Sequence, residues 1–224
     1  MKGAWCILAA AGSGERLGSK VPKAFARLGR TTIIQRAIKE LHHQGIRNFV
    51  VALPRGRAFD VGFLQQSDAE IHTVEGGAER QDSVLNAAAM LPDDVSFVLV
   101  HDAARPFLRT GVVEELISRA SETGASMPVL PVTDTLKRVS GGIIEATVPR
   151  AGIVRVQTPQ VFRGDVFRAM LPLYRSMSVT DDSAVAESLG IKPAAVTGSA
   201  FTFKITTPED LAMAELIITT RSLL

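Results

Sequence analysis

The residues best suited to chemistry gather in four stretches of this 224-residue chain. The first, Ala10-Ala11-Gly12-Ser13-Gly14-Glu15-Arg16-Leu17-Gly18, directly follows a short apolar run. A glycine-rich turn there lets backbone N–H groups approach an anion closely. In an open α/β sheet, ligands bind beyond the carboxyl ends of the strands. The spacing is not G-x-G-x-x-G, and no G-K-[ST] follows, so neither dinucleotide binding nor a P-loop fits. Arg16 and Lys23 bracket the turn and are suited to neutralising phosphate. Pro22-Lys23 implies a fixed bend rather than a helix. The competing reading is a glycine-rich surface turn with no ligand.

The second stretch, Val98-Leu99-Val100-His101-Asp102-Ala103-Ala104-Arg105-Pro106, puts an Asp and an Arg at the end of an apolar strand. Asp102 is suited to magnesium or a substrate hydroxyl, and Arg105 to a carboxylate or phosphate; alternatively the two pair with each other. His101 reads as a structural neighbour rather than a base. In the third, Gly76-Gly77-Ala78-Glu79-Arg80-Gln81-Asp82-Ser83-Val84, paired glycines allow backbone contact with a flat base, and Ser83 can serve as an N-cap. The fourth, residues 203–211, places Lys204 inside an apolar strand, where an unpaired cation is costly unless it snorkels at an edge.

Short apolar runs at 5–9, 49–53, 71–74, 97–100, 126–130 and 193–196 read as strands covered on both faces. Amphipathic segments at 32–44, 83–91, 111–123, 164–174, 181–189 and 208–220 read as the helices between them. This alternation specifies an α/β fold with a mainly parallel sheet and flanking helices. Residues 135–139 and 143–148, joined by Gly141-Gly142, break the rhythm as a β-hairpin. It is either an antiparallel addition to the sheet edge or a projecting arm that packs on a second subunit.

Hydrophobic residues make up 46% and charged residues 21%, as expected of an ordered globular chain. A net charge of +2, with no Lys/Arg block, argues against nucleic-acid binding. The single cysteine, Cys6, cannot form an internal disulfide and points to a reducing, cytoplasmic setting. Four histidines and one cysteine are too few and too scattered for a zinc cluster. No apolar run approaches the roughly 20 residues that span a bilayer. The N-terminal apolar run is a first strand rather than a signal peptide, because cleavage there would remove the glycine-rich turn that follows. With no repeat, low-complexity tract or linker, residues 1–224 are expected to form one domain.

Seven motifs occur in order: A-A-G-S-G-E-R at the first turn, Pro22-Lys23, G-G-x-x-R-x-x-S-V at 76–84, H-D-A-A-R-P at 101–106, T-P-Q at 158–160, T-D-D at 180–182 and K-I-T-x-P-E-D-L at 204–211. As a set spanning essentially the whole chain they resemble the 2-C-methyl-D-erythritol 4-phosphate cytidylyltransferases of the non-mevalonate isoprenoid pathway. The resemblance implies a nucleotidyltransferase (Rossmann-like) fold, CTP as co-substrate, magnesium as cofactor and a homodimer joined through the 135–150 arm. It places CTP on Ala10, Ala11, Gly12, Gly14, Gly77, Arg80 and Ser83. It makes Arg16 and Lys23 stabilisers of charge on the transferring phosphate. It puts methylerythritol phosphate near Asp102, Arg105, Thr135, Thr158, Thr180, Asp181 and Lys204, with Arg150 reaching over from the partner subunit. Ala9 stands where the family usually has Pro, and Pro149 where it often has Asp. Some relatives carry a fused cyclase domain, which a chain ending at Leu224 is not expected to have. The implied reaction releases pyrophosphate and forms 4-diphosphocytidyl-2-C-methyl-D-erythritol. Rival readings are a ribitol 5-phosphate cytidylyltransferase and a non-catalytic nucleotide sensor, the latter disfavoured by the joint presence of Arg16, Lys23, Asp102 and Lys204.

Overall fold

The computed structural model describes residues 3–12, 14, 17, 21–64, 67–177, 179 and 181–221. In chain order the elements are β1 (Ala4–Ala9), β2 (Arg27–Leu28), β3 (Thr31–Thr32), α1 (Ile33–His43), β4 (Asn48–Leu53), β5 (Glu70–Glu75), α2 (Arg80–Ala88), β6 (Phe97–Asp102) and α3 (Val112–Thr123). There follow β7 (Ala125–Pro131), β8 (Leu136–Ser140), β9 (Ile143–Val148), β10 (Val154–Val156), β11 (Gln160–Arg163), α4 (Gly164–Tyr174), α5 (Ser183–Ser188), β12 (Ala194–Thr197) and α6 (Pro208–Arg221).

An eight-stranded sheet runs β10-β7-β11-β6-β1-β4-β5, with β12 also pairing with β7. The pairs β6–β1, β1–β4, β4–β5 and β7–β12 are parallel. Only β10 and β11 run against them. The expected mainly parallel sheet is therefore present, and its strands are apolar on both faces for a visible reason. Cys6 and Leu8 of β1, with Phe49 and Val51 of β4, pack under α1 and α3. Ile7 and Val50, the alternate residues, pack under α2 and α4 through Val84, Phe167, Met170 and Tyr174. α1 starts with a capping box, in which Thr32 accepts from the Gln35 N–H and Gln35 Oε1 accepts from the Thr32 N–H.

The structure adds what the sequence reading lacks. β11, of which only Gln160 belongs to a motif, lies between β6 and β7. β10 is three residues long and pairs along the outer part of β7. The hairpin β8–β9 is not an edge addition. It forms its own two-stranded sheet across a turn with Gly141 at φ 55° and Gly142 at φ 81°. Val139, Ile143 and Ile144 on it are exposed at 57%, 72% and 62%. No helix among the described residues is long and apolar enough to cross a membrane.

Candidate active site

The chain leaves the sheet after β1, where the Ala10 N–H donates to the Ala52 carbonyl at 3.0 Å. Gly14 has φ +75°, and a Cβ there would lie 2.5 Å from the Cβ of Lys23. Only glycine lets the turn close against the short helical turn Lys23–Phe25, which sets Lys23 beside the strand ends. The facing wall is the loop from β5 to α2. Its Gly76 approaches so near that a Cβ would lie 2.3 Å from the Cβ of Ala11. The Gly77 N–H donates to Ser83 Oγ at 3.1 Å, and that hydroxyl donates to the Glu79 carbonyl at 3.2 Å. α2 begins three residues earlier than expected, with Glu79 as its N-cap, so Ser83 sits inside the first turn and is not a cap.

Asp102 ends β6 and is 7% exposed. Its Oδ1 accepts from Arg80 Nε at 2.9 Å and its Oδ2 from Lys204 Nζ at 2.8 Å, with Arg105 Nε 3.9 Å from the same oxygen. Burial alone would raise the Asp102 pKa, but Arg80, Lys204 and Arg105 hold it far below the usual carboxylate range. Lys204 is not in a strand; it reaches Asp102 from an extended segment, which answers how its charge is accommodated. Arg80 also donates through Nη2 to Asp182 at 2.7 Å, and the fully buried Asp182 accepts from the Tyr174 hydroxyl at 2.8 Å. Three cations thus face two carboxylates, leaving an excess positive charge suited to an anionic ligand.

Thr158 joins this cluster because β11 runs antiparallel, which brings its leading end to the carboxyl end of β6. Thr158 Oγ1 accepts from the Asp102 N–H at 3.1 Å and donates to His101 Nδ1 at 3.0 Å, while His101 Nε2 donates to the Arg105 carbonyl at 3.1 Å. Burial lowers the His101 pKa to about 4, so the ring is neutral at neutral pH and both nitrogens are structurally engaged. Replacing Thr158 with valine keeps the volume and strands the buried Asp102 N–H and His101 Nδ1. A loss of about 2 kcal/mol in unfolding free energy, read by urea titration, is expected.

The two glycine loops and the cations at Asp102 border one cleft of about 640 Å³, which Thr158, His101 and Asp182 back without lining. Ala10, Ala11, Gly12 and Gly14 form one side, Gly77, Arg80 and Ser83 another, and Lys23, Asp102 and Lys204 stand between them. Arg105 lies behind Asp102 and donates through Nη1 to the Thr202 carbonyl at 2.8 Å. Thr135 and Arg150 are exposed at the two ends of the hairpin and are not among the lining residues. Asp181 caps α5, accepting from the Ala184 N–H and the Ser183 hydroxyl, and does not line the cleft either. Arg16 and Thr180 lie outside the described residues. The sequence reading left out Asp182, Tyr174 and Thr206. Asp182 stood in the T-D-D motif, but nothing in the order of two adjacent aspartates tells which one turns inward.

Among the described residues no three His, Cys, Asp or Glu side chains converge, and each oxygen of Asp102 already accepts from a cation.

Comparison with known proteins shows the family. Residues 4–220 match the family described as IspD, 2-C-methyl-D-erythritol 4-phosphate cytidylyltransferase. The 2-C-methyl-D-erythritol 4-phosphate cytidylyltransferase of Saccharopolyspora erythraea is 42% identical over 220 residues, covering 95% of this chain and 97% of that protein. The bifunctional enzyme IspD/IspF of Granulibacter bethesdensis is 40% identical over 212 residues, 93% of this chain but only 54% of that longer protein. The crystal structure of 2-C-methyl-D-erythritol 4-phosphate cytidylyltransferase from Thermus thermophilus superposes with a TM-score of 0.82 at 35% identity, covering 96% of this chain and 98% of that one. This chain belongs to the 2-C-methyl-D-erythritol 4-phosphate cytidylyltransferase family.

Proposed function

We propose that this chain transfers the cytidylyl group of CTP to 2-C-methyl-D-erythritol 4-phosphate, releasing pyrophosphate and forming 4-diphosphocytidyl-2-C-methyl-D-erythritol. The observation that carries the reading is one cleft joining a glycine-lined slot, at Ala10–Gly12 and Gly77–Ser83, to the cations around Asp102. In this reaction a phosphate oxygen of the sugar alcohol attacks the α-phosphorus of CTP. The bond to the bridging oxygen breaks, and pyrophosphate leaves with its electron pair. The nucleophile is already an anion, so no strong base is needed, in keeping with a neutral His101 bonded at both nitrogens. The barrier lies in bringing anions together, which preorganised cations relieve.

In this reading Lys23 and Arg16 stabilise charge on the transferring phosphate, Lys204 holds the sugar phosphate, and Arg105 adds its positive charge from behind Asp102, its buried Nε 3.9 Å from Asp102 Oδ2. Magnesium would enter with the substrate triphosphate and offset its charge, and Asp102, whose oxygens accept from Arg80 and Lys204, is a lining carboxylate that could meet it. The lone, buried Cys6 suits a reducing, cytoplasmic setting.

A pyrophosphate-release assay over a panel of nucleotides and sugar phosphates tests the proposal. Release is expected with CTP plus methylerythritol phosphate, and far more slowly with UTP, whose 4-carbonyl cannot replace the donor amino group of cytosine. Absence of release with that pair, equal use of UTP, or preference for ribitol 5-phosphate would overturn it.

The exposed hairpin and the exposed Arg150 at its base support a shared site in a homodimer, each arm lending Arg150 to the other subunit. Mixing Arg150→Ala with Lys23→Ala chains, under confirmed subunit exchange, should restore activity, because one hybrid site then holds every group. No recovery rejects the shared site.

A further inference from the structure

Asp182 is the N-cap position of α5, yet its side chain caps nothing; Asp181 does that work through Oδ1. The carboxylate of Asp182 turns instead into the protein, where it is fully buried. A buried carboxylate is kept only with partners for its oxygens. Here each oxygen has one: Tyr174, also fully buried, donates to Oδ1 at 2.8 Å, and Arg80 Nη2 to Oδ2 at 2.7 Å. Arg80 is thereby held as a bridge, one nitrogen on Asp182 and Nε on Asp102. A guanidinium released from Asp182 is free to take both Asp102 oxygens bidentately, its favoured geometry with a carboxylate. It would then compete with Lys204 for Oδ2.

We propose that Asp182 and Tyr174 are positioning residues that hold Arg80 on one oxygen of Asp102, so that the other oxygen keeps Lys204 aimed at the sugar-phosphate half of the cleft. The proposal rests on the cytidylyltransferase reading and adds a route for specificity that starts behind the cleft wall. The same ion pairs carry the Arg80 pKa up against the opposing effect of burial, so the bridge stays charged at any working pH.

The test is steady-state kinetics of Tyr174→Phe and Asp182→Asn with both substrates varied, alongside thermal midpoints. Asp182→Asn should raise the KM for methylerythritol phosphate about tenfold and Tyr174→Phe about threefold, with the KM for CTP, whose slot Arg80 also lines, raised clearly less. In a Lys204→Ala background neither substitution should raise that KM further, because the route ends at Lys204. Tyr174→Phe keeps the buried ring and so reports even if Asp182→Asn does not fold. An unchanged sugar-phosphate KM, equal changes in both KM values, or an undiminished effect in the Lys204→Ala background overturns the positioning role. Failure of the parent chain to release pyrophosphate from the two substrates overturns the cytidylyltransferase reading itself, and the proposal falls with it.

Discussion

Lys23→Ala lowers kcat about a hundredfold while the affinity for CTP stays within a few fold, the loss expected for one preorganised charge contact of about 3 kcal/mol. The expectation follows from the way Lys23 is held. It opens the helical turn Lys23–Phe25, whose Pro22 lead residue has φ −53°, and whose backbone closes through Phe25 N–H to the Pro22 carbonyl. Gly14 packs directly against it. The backbone that carries Lys23 is therefore fixed before any ligand binds, and its charge need not be reorganised as negative charge develops on the transferring phosphate. An interaction made mainly in the transition state shows in kcat rather than in ground-state affinity. Near-normal kcat at saturating substrates would remove Lys23 from the chemistry.

Asp102→Asn has the second large effect, on stability as well as turnover. The substitution keeps the shape but leaves Arg80, Arg105 and Lys204 facing one another without the carboxylate between them. Removing one partner of a buried ion pair costs about 3 kcal/mol or more. Turnover should fall at least about a hundredfold, since Lys204 loses its fixed partner. The pH dependence gives a sign to check. The Asp102 pKa is depressed in the folded chain, so its contribution is present above the unfolded carboxylate value and is lost as pH falls. Urea titrations of the parent and Asp102→Asn should therefore differ most near neutral pH and converge progressively below about pH 4. A constant difference across that range would show that Asp102 is not held as a buried anion.

Much of this site is legible in the residues alone, for physical reasons. A solidly apolar strand followed by glycine or by an Asp announces its own end, so the turn at Ala10–Gly14 and the position of Asp102 follow from local pattern. The helices with clean amphipathic faces, such as α1 with Ile34, Ile38 and Leu41 buried, lie within a residue or two of where their periodicity puts them. What escapes is short or nonlocal. β11 has four residues and ends in Arg163, so it carries no periodic signal; its place is assigned by pairing with β6 and β7. In the sequence Lys204 stands as an unpartnered charge among apolar residues because its partner, Asp102, lies far back in the chain. Asp181 and Asp182 are indistinguishable until α5 fixes which side chain faces out and which faces Arg80.

The late arrival of β11 also bears on how this protein emerges from the ribosome. β6 is finished at Asp102 and β7 at Pro131, but the strand that separates them comes only at Gln160–Arg163. A nascent chain that has just extruded the hairpin therefore holds two apolar strands with no neighbour between them, each a bare edge open to pairing with another polypeptide. The same segment brings Thr158 to Asp102, while Asp182 and Lys204, which complete the charge cluster, come later in the chain. A chain that stalls before β11, at Gln160, keeps those edges bare, whereas one that passes it can join β6 to β7 before Lys204 and Thr206 arrive to finish the cleft.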